Sequence, residues 1–124
     1  MKEAVVLLAH GSRRQEGNIQ VEDMVKQIQQ QDTKERKYTV GFLEFAHPTP
    51  DEGVKELIDF GAEKIIVVPL FLIAGKHVWR DIPDLVQQQK EIYPEVEFVL
   101  TNHLGENKKL IKIIIDMIES GGSH

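Results

Sequence analysis

Continuous apolar runs alternate along the chain with segments in which apolar residues recur at every third or fourth position. Residues 4–9 form an unbroken apolar run, which is typical of a strand covered on both faces. Val21, Met24, Val25 and Ile28 then follow helical spacing and predict a helix over residues 16–31. Three more pairs follow: strands over residues 38–45, 64–68 and 95–100, and helices that begin near Thr49, near Asp81 and at residue 105.

Local signals set several of these boundaries. Thr49 and Glu52 fit a capping box with a proline at the first helical position, and Gly61 is expected to end that helix. Asp81 is the predicted N-cap of the next helix. Pro69 lacks a backbone donor, so regular strand pairing should stop near it.

The last predicted helix, residues 105–119, carries more apolar residues than one sheet needs. One broad face is expected to contact the core, and two further isoleucines widen that face and suggest a partner surface. The core-facing set is Leu110, Ile111, Ile114, Met117 and Ile118, and the widening residues are Ile113 and Ile115.

The order βαβαβαβα predicts a single α/β domain over residues 1–120, with a four-stranded parallel sheet and helices on both faces. A strand order of 2-1-3-4 is expected, with the mixed fourth strand at an edge. Residues 121–124 read as a flexible tail.

Composition narrows the function classes. The chain has 124 residues, no cysteine and a net charge of −5, so thiolate chemistry is excluded and a nucleic-acid partner is not expected. We expect no signal peptide and no membrane span, since the first apolar run is short and no stretch approaches about 20 apolar residues. A reducing cytoplasm fits this composition.

Titratable side chains cluster after the predicted strands. His10 follows the first strand, Glu44 lies at the end of the second, and His77 follows the third. Because ligands of open parallel sheets bind beyond the carboxyl ends of the strands, these residues are the expected catalytic set, with His10 and His77 as metal ligands. The other rim histidines, His47 and His103, are read mainly as turn residues.

Polar and basic residues beside this set supply candidate contacts for an anionic substrate. Each residue also has a non-functional interpretation. His10 could be a turn residue, His77 a solvated loop histidine and Glu44 an ordinary carboxylate at the rim of the sheet. The arginines could be solvated side chains at the start of a helix. The candidate substrate-binding residues are Ser12, Arg13, Arg14, Lys76 and Arg80. The combination predicts a site that brings a metal to an acidic nitrogen ligand and accepts the displaced protons.

Taken in order, these residues resemble the small class II chelatases of the CbiX type, the sirohydrochlorin cobaltochelatases. The matching pieces are residues 9–13 (AHGSR), 42–44 (FLE), 67–72 (VVPLFL), 75–78 (GKHV), 81–83 (DIP) and 103–105 (HLG). The resemblance implies insertion of Co²⁺ into sirohydrochlorin for cobalamin synthesis, with Ni²⁺ or Fe²⁺ as alternatives. It also implies that His10 and His77 bind the metal and accept protons, and that no cofactor is permanently bound.

Longer members of this family carry two such domains across a cleft, so the resemblance implies a homodimer for a one-domain chain. Lys76 departs from the pattern, because a glutamate often precedes the second histidine, and this leaves the metal open. Two other classes remain. Histidine phosphatases also place a histidine after the first strand, but an arginine precedes it where this chain has Ala9. A non-catalytic metal-binding protein could use the same histidine pair.

Overall fold

The computed structural model describes residues 1–73, 75–76 and 80–121. Strands and helices alternate along the chain, and a short 3-10 helix, Leu104–Glu106, precedes the last helix. No helix in the described part of the chain has the length and apolar composition that crossing a bilayer requires. The strands are β1 (Glu3–Ala9), β2 (Lys37–Phe42), β3 (Lys64–Pro69) and β4 (Glu97–Leu100), and the helices are α1 (Gln15–Gln31), α2 (Pro50–Phe60), α3 (Ile82–Ile92) and α4 (Lys109–Glu119).

The four strands form one parallel sheet in the order β2-β1-β3-β4, which confirms the predicted topology and the edge position of β4. β1 is central, and its unbroken apolar run from Ala4 to Ala9 follows from having a neighbour on each side and helices on both faces. All four carboxyl ends therefore lie at one edge of the sheet, which we call the carboxyl edge.

Two apolar clusters lie on opposite faces of the sheet. On one face, α2 and α3 contribute Leu57 and Val86 to a cluster that buries Val6, Leu8 and Ile65. On the other face, α1 contributes Val25 to a smaller cluster around Val5, Leu7 and Phe42. Helices on both faces were predicted and are confirmed.

The capping signals of α2 are confirmed. The Thr49 hydroxyl accepts from the backbone N–H of Glu52, whose side chain accepts from the Thr49 N–H, and Gly61 ends the helix in the left-handed region with φ of 99°. Asp81 behaves differently. It occupies the N-cap position of α3, as predicted, but its backbone is helical and its side chain makes no capping hydrogen bond.

Two strands are shorter than predicted, for local reasons. β2 ends at Phe42 rather than residue 45, and Phe45 itself has a positive φ of 65°, which is incompatible with an extended strand. β4 begins at Glu97 rather than residue 95, since a turn closed by the Val96 N–H and the Tyr93 carbonyl precedes it. β3 ends at Pro69, one residue beyond the predicted range and at the proline near which pairing was expected to stop.

The last helix corrects a larger expectation. It begins at Lys109 rather than residue 105, because a 3-10 turn and two linking residues come first. Within the described part of the chain, none of its eleven residues is buried, although a core-facing stripe was predicted. Helical periodicity identified an apolar face correctly, but this chain's own sheet does not cover it.

Candidate functional site

The turn after β1 and the chain after β2 are held side by side at the carboxyl edge. Beyond the last strand pair, the Leu43 N–H donates to the Ala9 carbonyl and the Glu44 N–H to the His10 carbonyl, both at 2.9 Å. Gly11 permits this approach: its φ is +93°, and a Cβ there would lie 1.9 Å from the Glu44 carbonyl oxygen. Two segments far apart in sequence thus place His10 beside Glu44, as predicted.

The orientation of the His10 ring leaves one nitrogen available for a ligand. Nδ1 lies 3.2 Å from the Gly11 carbonyl oxygen, which can only accept a hydrogen bond. In the neutral ring the proton therefore belongs on Nδ1, and the lone pair of Nε2 is free. Nε2 lies 3.8 Å from Oε2 of Glu44, and both side chains are about half exposed, at 54% and 51%.

Phe45 is a member of this site that the sequence prediction missed. A bulky residue at φ 65° is a conformational outlier, and such strain concentrates at functional positions. Its ring is 53% exposed, with its centroid 6.4 Å from that of His10 and 4.7 Å from the Arg13 guanidinium carbon. Apolar patterning assigned Phe45 to a buried strand, so only its place directly after Glu44 could have marked it.

Ser12 and Arg14 build the entry to α1. The Ser12 hydroxyl accepts from the Arg14 N–H at 3.0 Å, and the Asn18 amide bonds both the N–H and the carbonyl of Ser12 at 2.9 Å. Asn18 is a second residue that the prediction missed, and it fixes the turn that carries Arg13. Arg13 and Arg14 are exposed on the same edge as His10.

His47 and His103 each have a carboxylate partner of their own. His47 Nδ1 lies 2.7 Å from Glu52 Oε1, and this contact lowers the pKa of Glu52. His103 is largely buried, with Nδ1 2.8 Å from Glu106 Oε1. Neither of these two contacts joins the His10 and Glu44 pair, and the role of both histidines as turn residues stays a prediction.

Three predicted residues belong to the segment after β3. His77 lies outside the described residues, so its position relative to His10 stays a prediction. Lys76 and Arg80 are described and exposed. Among the described residues, no group of three histidine, aspartate or glutamate side chains is arranged to hold a metal. The described site therefore offers one imidazole nitrogen and one carboxylate.

A cavity of 460 Å³ lies at the opposite edge, beside Lys2, Asp32 and Arg36. Three of the charged side chains that line it are paired with one another, since the Arg36 guanidinium donates to both Asp32 and Glu3. The hydrogen bond from the Tyr38 hydroxyl, helped by the Lys34 N–H and Arg36, lowers the pKa of Asp32 to about 2. This network ties the start of β2 to the end of α1, and it lies at the amino ends of the strands, away from the carboxyl edge where ligands of open α/β sheets bind.

Comparison with known proteins gives consistent matches. The model of the CbiX family matches residues 4–120. The sirohydrochlorin ferrochelatase of Priestia megaterium is 33% identical over 117 residues, covering 94% of this chain and 43% of that protein. The sirohydrochlorin cobaltochelatase of Methanopyrus kandleri is 32% identical over 136 residues, covering 94% of both.

Among solved structures, a CbiX protein of Marinobacter aquaeolei, described as a cobalamin biosynthesis protein, superposes with a TM-score of 0.83 at 27% identity. That match covers 97% of this chain and 94% of the neighbour. The chain spans about half the length of two curated ferrochelatases that it matches. The match covers 43% of the Priestia megaterium protein and 54% of a chloroplastic protein of Arabidopsis thaliana.

Proposed function

The chain belongs to the CbiX family, and from this membership we propose that it inserts a divalent metal ion into sirohydrochlorin. Co²⁺ is the proposed metal, with Fe²⁺ and Ni²⁺ as alternatives. Relatives of similar identity are named for cobalt and for iron, so their names alone do not choose between these two metals. The observation that carries the proposal is the His10 and Glu44 pair, set 3.8 Å apart on an open rim beside an exposed aromatic ring. The metal is a substrate here, and no resident cofactor is proposed.

His10 receives the metal through Nε2 in this proposal. Two bonds of about 2.1 Å would bridge the gap between Nε2 and the Glu44 carboxylate with a wide angle at the metal. Two protein ligands leave several coordination positions for macrocycle nitrogens, so the ion can be passed on. His77 is proposed as a further ligand on the strength of the family resemblance.

Glu44 accepts protons in the same proposal. A divalent ion that enters the macrocycle displaces two pyrrole N–H protons, and each must leave as the metal–nitrogen bonds form. A carboxylate beside the metal can take a proton directly or from an imidazole that has released the metal. Because Glu44 is half exposed, it can return each proton to water.

Phe45 and the cations around it are proposed to hold the macrocycle. An exposed ring offers a flat apolar surface for a flat tetrapyrrole, and Arg13 stacked on that ring points a guanidinium toward substrate carboxylates. The remaining proposed carboxylate contacts are Ser12, Arg14, Lys76 and Arg80. The positive charges of the arginines and Lys76 would locally offset the net charge of −5 at the carboxyl edge, where an anion would bind.

One domain leaves this site open on the solvent side, so a homodimer that closes it is part of the proposal, as is a cytoplasmic location. Two other functions make different predictions. A phosphatase needs an anion-binding side chain before the histidine, and the corresponding Ala9 is buried and cannot supply one. A metal-binding protein without activity would bind Co²⁺ but produce no metallated product.

The test is anaerobic incubation of purified protein with sirohydrochlorin and Co²⁺, Fe²⁺ or Ni²⁺, followed by the absorbance change of the macrocycle. We expect metallation above the uncatalysed rate, and the rank of the three rates identifies the metal. Metal binding without metallated product would overturn the proposal. Hydrolysis of a phosphoester that is lost in His10→Ala would favour the phosphatase instead.

A further inference from the structure

The chain that leaves β3 at the carboxyl edge carries two largely exposed apolar side chains. Leu72 is 66% exposed and Ile73 is 85% exposed. Isolated apolar residues are ordinary on a protein surface, but these two are consecutive and lie at the edge where open parallel sheets bind their ligands. We call residues 70–73 the exit segment, and its exposed end is a candidate ligand contact.

The exit segment begins beside the turn that carries His10. β1 and β3 are neighbours in the sheet, and just beyond their pairing the Leu70 N–H donates to the Leu8 carbonyl at 2.8 Å. On the other side of β1 lies β2, whose continuation carries Phe45. His10 therefore lies between the exit segment and the segment that carries Phe45.

A backbone contact with the 3-10 turn fixes the direction in which the exit segment leaves the sheet. The Gly105 N–H donates to the Phe71 carbonyl at 2.9 Å. A Cβ on Gly105 would overlap the Leu72 carbonyl oxygen and lie 2.6 Å from the carbonyl carbon, so two consecutive peptide groups contact this glycine. Among the described glycines, only Gly11 and Gly61 have a positive φ. The contact with the exit segment, and not its own backbone conformation, therefore requires a glycine at this position.

The 3-10 turn is itself held in place by the sheet and by one of its own side chains. The Thr101 N–H donates to the Val67 carbonyl at 3.0 Å, which continues the pairing of β3 and β4 toward the turn. His103 Nδ1 lies 2.8 Å from Glu106 Oε1, and the His103 side chain is only 9% exposed. The Glu106 N–H also donates to the His103 carbonyl at 3.0 Å. A turn held in this way can fix the position of the backbone that it contacts.

We propose that Gly105 is a positioning residue for the proposed reaction, and that the exit segment which it contacts binds the macrocycle through Leu72 and Ile73. This rests on the proposed function, because it requires a tetrapyrrole at the carboxyl edge. The exit segment and Phe45 lie on opposite sides of His10, so their exposed apolar side chains contact the flat ring on either side of the nitrogen that receives the metal. Gly105 acts only through the backbone of the exit segment.

Titration with metal-free sirohydrochlorin, followed by the quenching of its fluorescence, tests the contact without turnover. Ile73→Ser should raise the Kd of sirohydrochlorin about 3–10-fold, because the macrocycle covers one side of the lost aliphatic group. The matched control is Ile92→Ser, which replaces a 61% exposed isoleucine at the last residue of α3, far from the carboxyl edge. Its Kd should stay within about twofold of wild type. A wild-type Kd in Ile73→Ser would overturn the proposal.

A double-mutant cycle separates positioning from a general loss of stability. Gly105→Ala should raise the same Kd about tenfold, whereas Gly75→Ala, whose Cβ meets no atom within 4 Å, should change it less than about twofold. Because Gly105 acts through the exit segment, the effect of Ile73→Ser should shrink to less than about twofold in the Gly105→Ala protein. Fold-changes that simply multiply would show that the two residues act independently, and would overturn the positioning role.

Glu106→Gln replaces Gly105→Ala in the cycle if the alanine variant does not fold. It keeps the size of the side chain and removes the charge that faces His103, so we expect a Kd rise of about 2–5-fold that is again coupled to Ile73→Ser. Wild type that metallates sirohydrochlorin, with an equal Kd in Ile73→Ser, refutes only this inference. Wild type that binds sirohydrochlorin without metallating it refutes only the reaction, and wild type that does not bind it overturns both.

Discussion

Replacement of Gly11 by alanine tests the packing that brings His10 to Glu44. The residue has a φ of +93°, and an added Cβ would lie 1.9 Å from the Glu44 carbonyl oxygen and 3.0 Å from its carbon. The neighbour is backbone, so no side-chain rotation can relieve the contact. The two segments must separate, and the hydrogen bonds of the Leu43 and Glu44 N–H groups would stretch or break.

The expected loss of stability follows from two contributions. An L-residue with positive φ costs about 1–2 kcal/mol, and each weakened backbone hydrogen bond costs about 0.5–1.5 kcal/mol. We therefore expect Gly11→Ala to lower the free energy of unfolding by about 2–5 kcal/mol. Metallation should fall as well, because the distance between His10 and Glu44 depends on the same contact.

Urea unfolding at one fixed protein concentration measures this effect, since an oligomer's stability depends on concentration. Gly75→Ala is the matched control, because a Cβ at Gly75 meets no atom within 4 Å. It should stay within about 0.5 kcal/mol of wild type. A Gly11→Ala variant as stable as wild type, or an equal loss in both variants, would refute the reasoning.

Three further substitutions separate stability from function. Gly17→Ala in α1 should stabilise the fold by about 0.5–1 kcal/mol in urea unfolding, because alanine has the higher helix propensity. The added Cβ would make only ordinary contacts, at 3.4 Å and beyond. A lower free energy of unfolding in this variant would contradict the prediction. Phe45→Gly should raise KM for sirohydrochlorin about 3–10-fold while stability holds or rises by about 1 kcal/mol, and an unchanged KM would remove Phe45 from the site. The hydrogen bond from Tyr38 lowers the pKa of Asp32 from 3.8 to about 2, so its carboxylate stabilises the fold above pH 4 and loses that effect as pH falls toward 2. Asp32→Asn should lower the urea midpoint at pH 7 and match wild type near pH 2; parallel curves across that range would contradict the assignment.

Most of the fold could be predicted from the sequence because its signals are local and redundant. An unbroken apolar run identifies β1 as central, and the Thr49 capping box marks the start of α2 without any tertiary information. Asp81 shows the limit of such signals. It occupies the predicted N-cap position of α3, but its own backbone is helical and its side chain makes no capping hydrogen bond.

The site was predictable where it follows from topology. Strands β1 and β2 are adjacent in register, so the residues just beyond them must meet, and His10 and Glu44 do. Phe45 could not be predicted because its conformation depends on contacts between distant segments. The α4 helix shows a related limit: periodicity reveals that a face is apolar, and only the structure reveals that none of the helix residues is buried.

The proposal depends most directly on His10, and single-turnover insertion of Co²⁺ into sirohydrochlorin tests it. His10→Ala is compared with wild type and with His47→Ala, which removes an exposed histidine paired to Glu52 on the neighbouring loop. We predict a rate loss of at least about a hundredfold for His10→Ala, the size of effect that loss of a positioned catalytic group produces, and little change for His47→Ala. Wild-type rates in His10→Ala, with its fold intact, would contradict the proposed site.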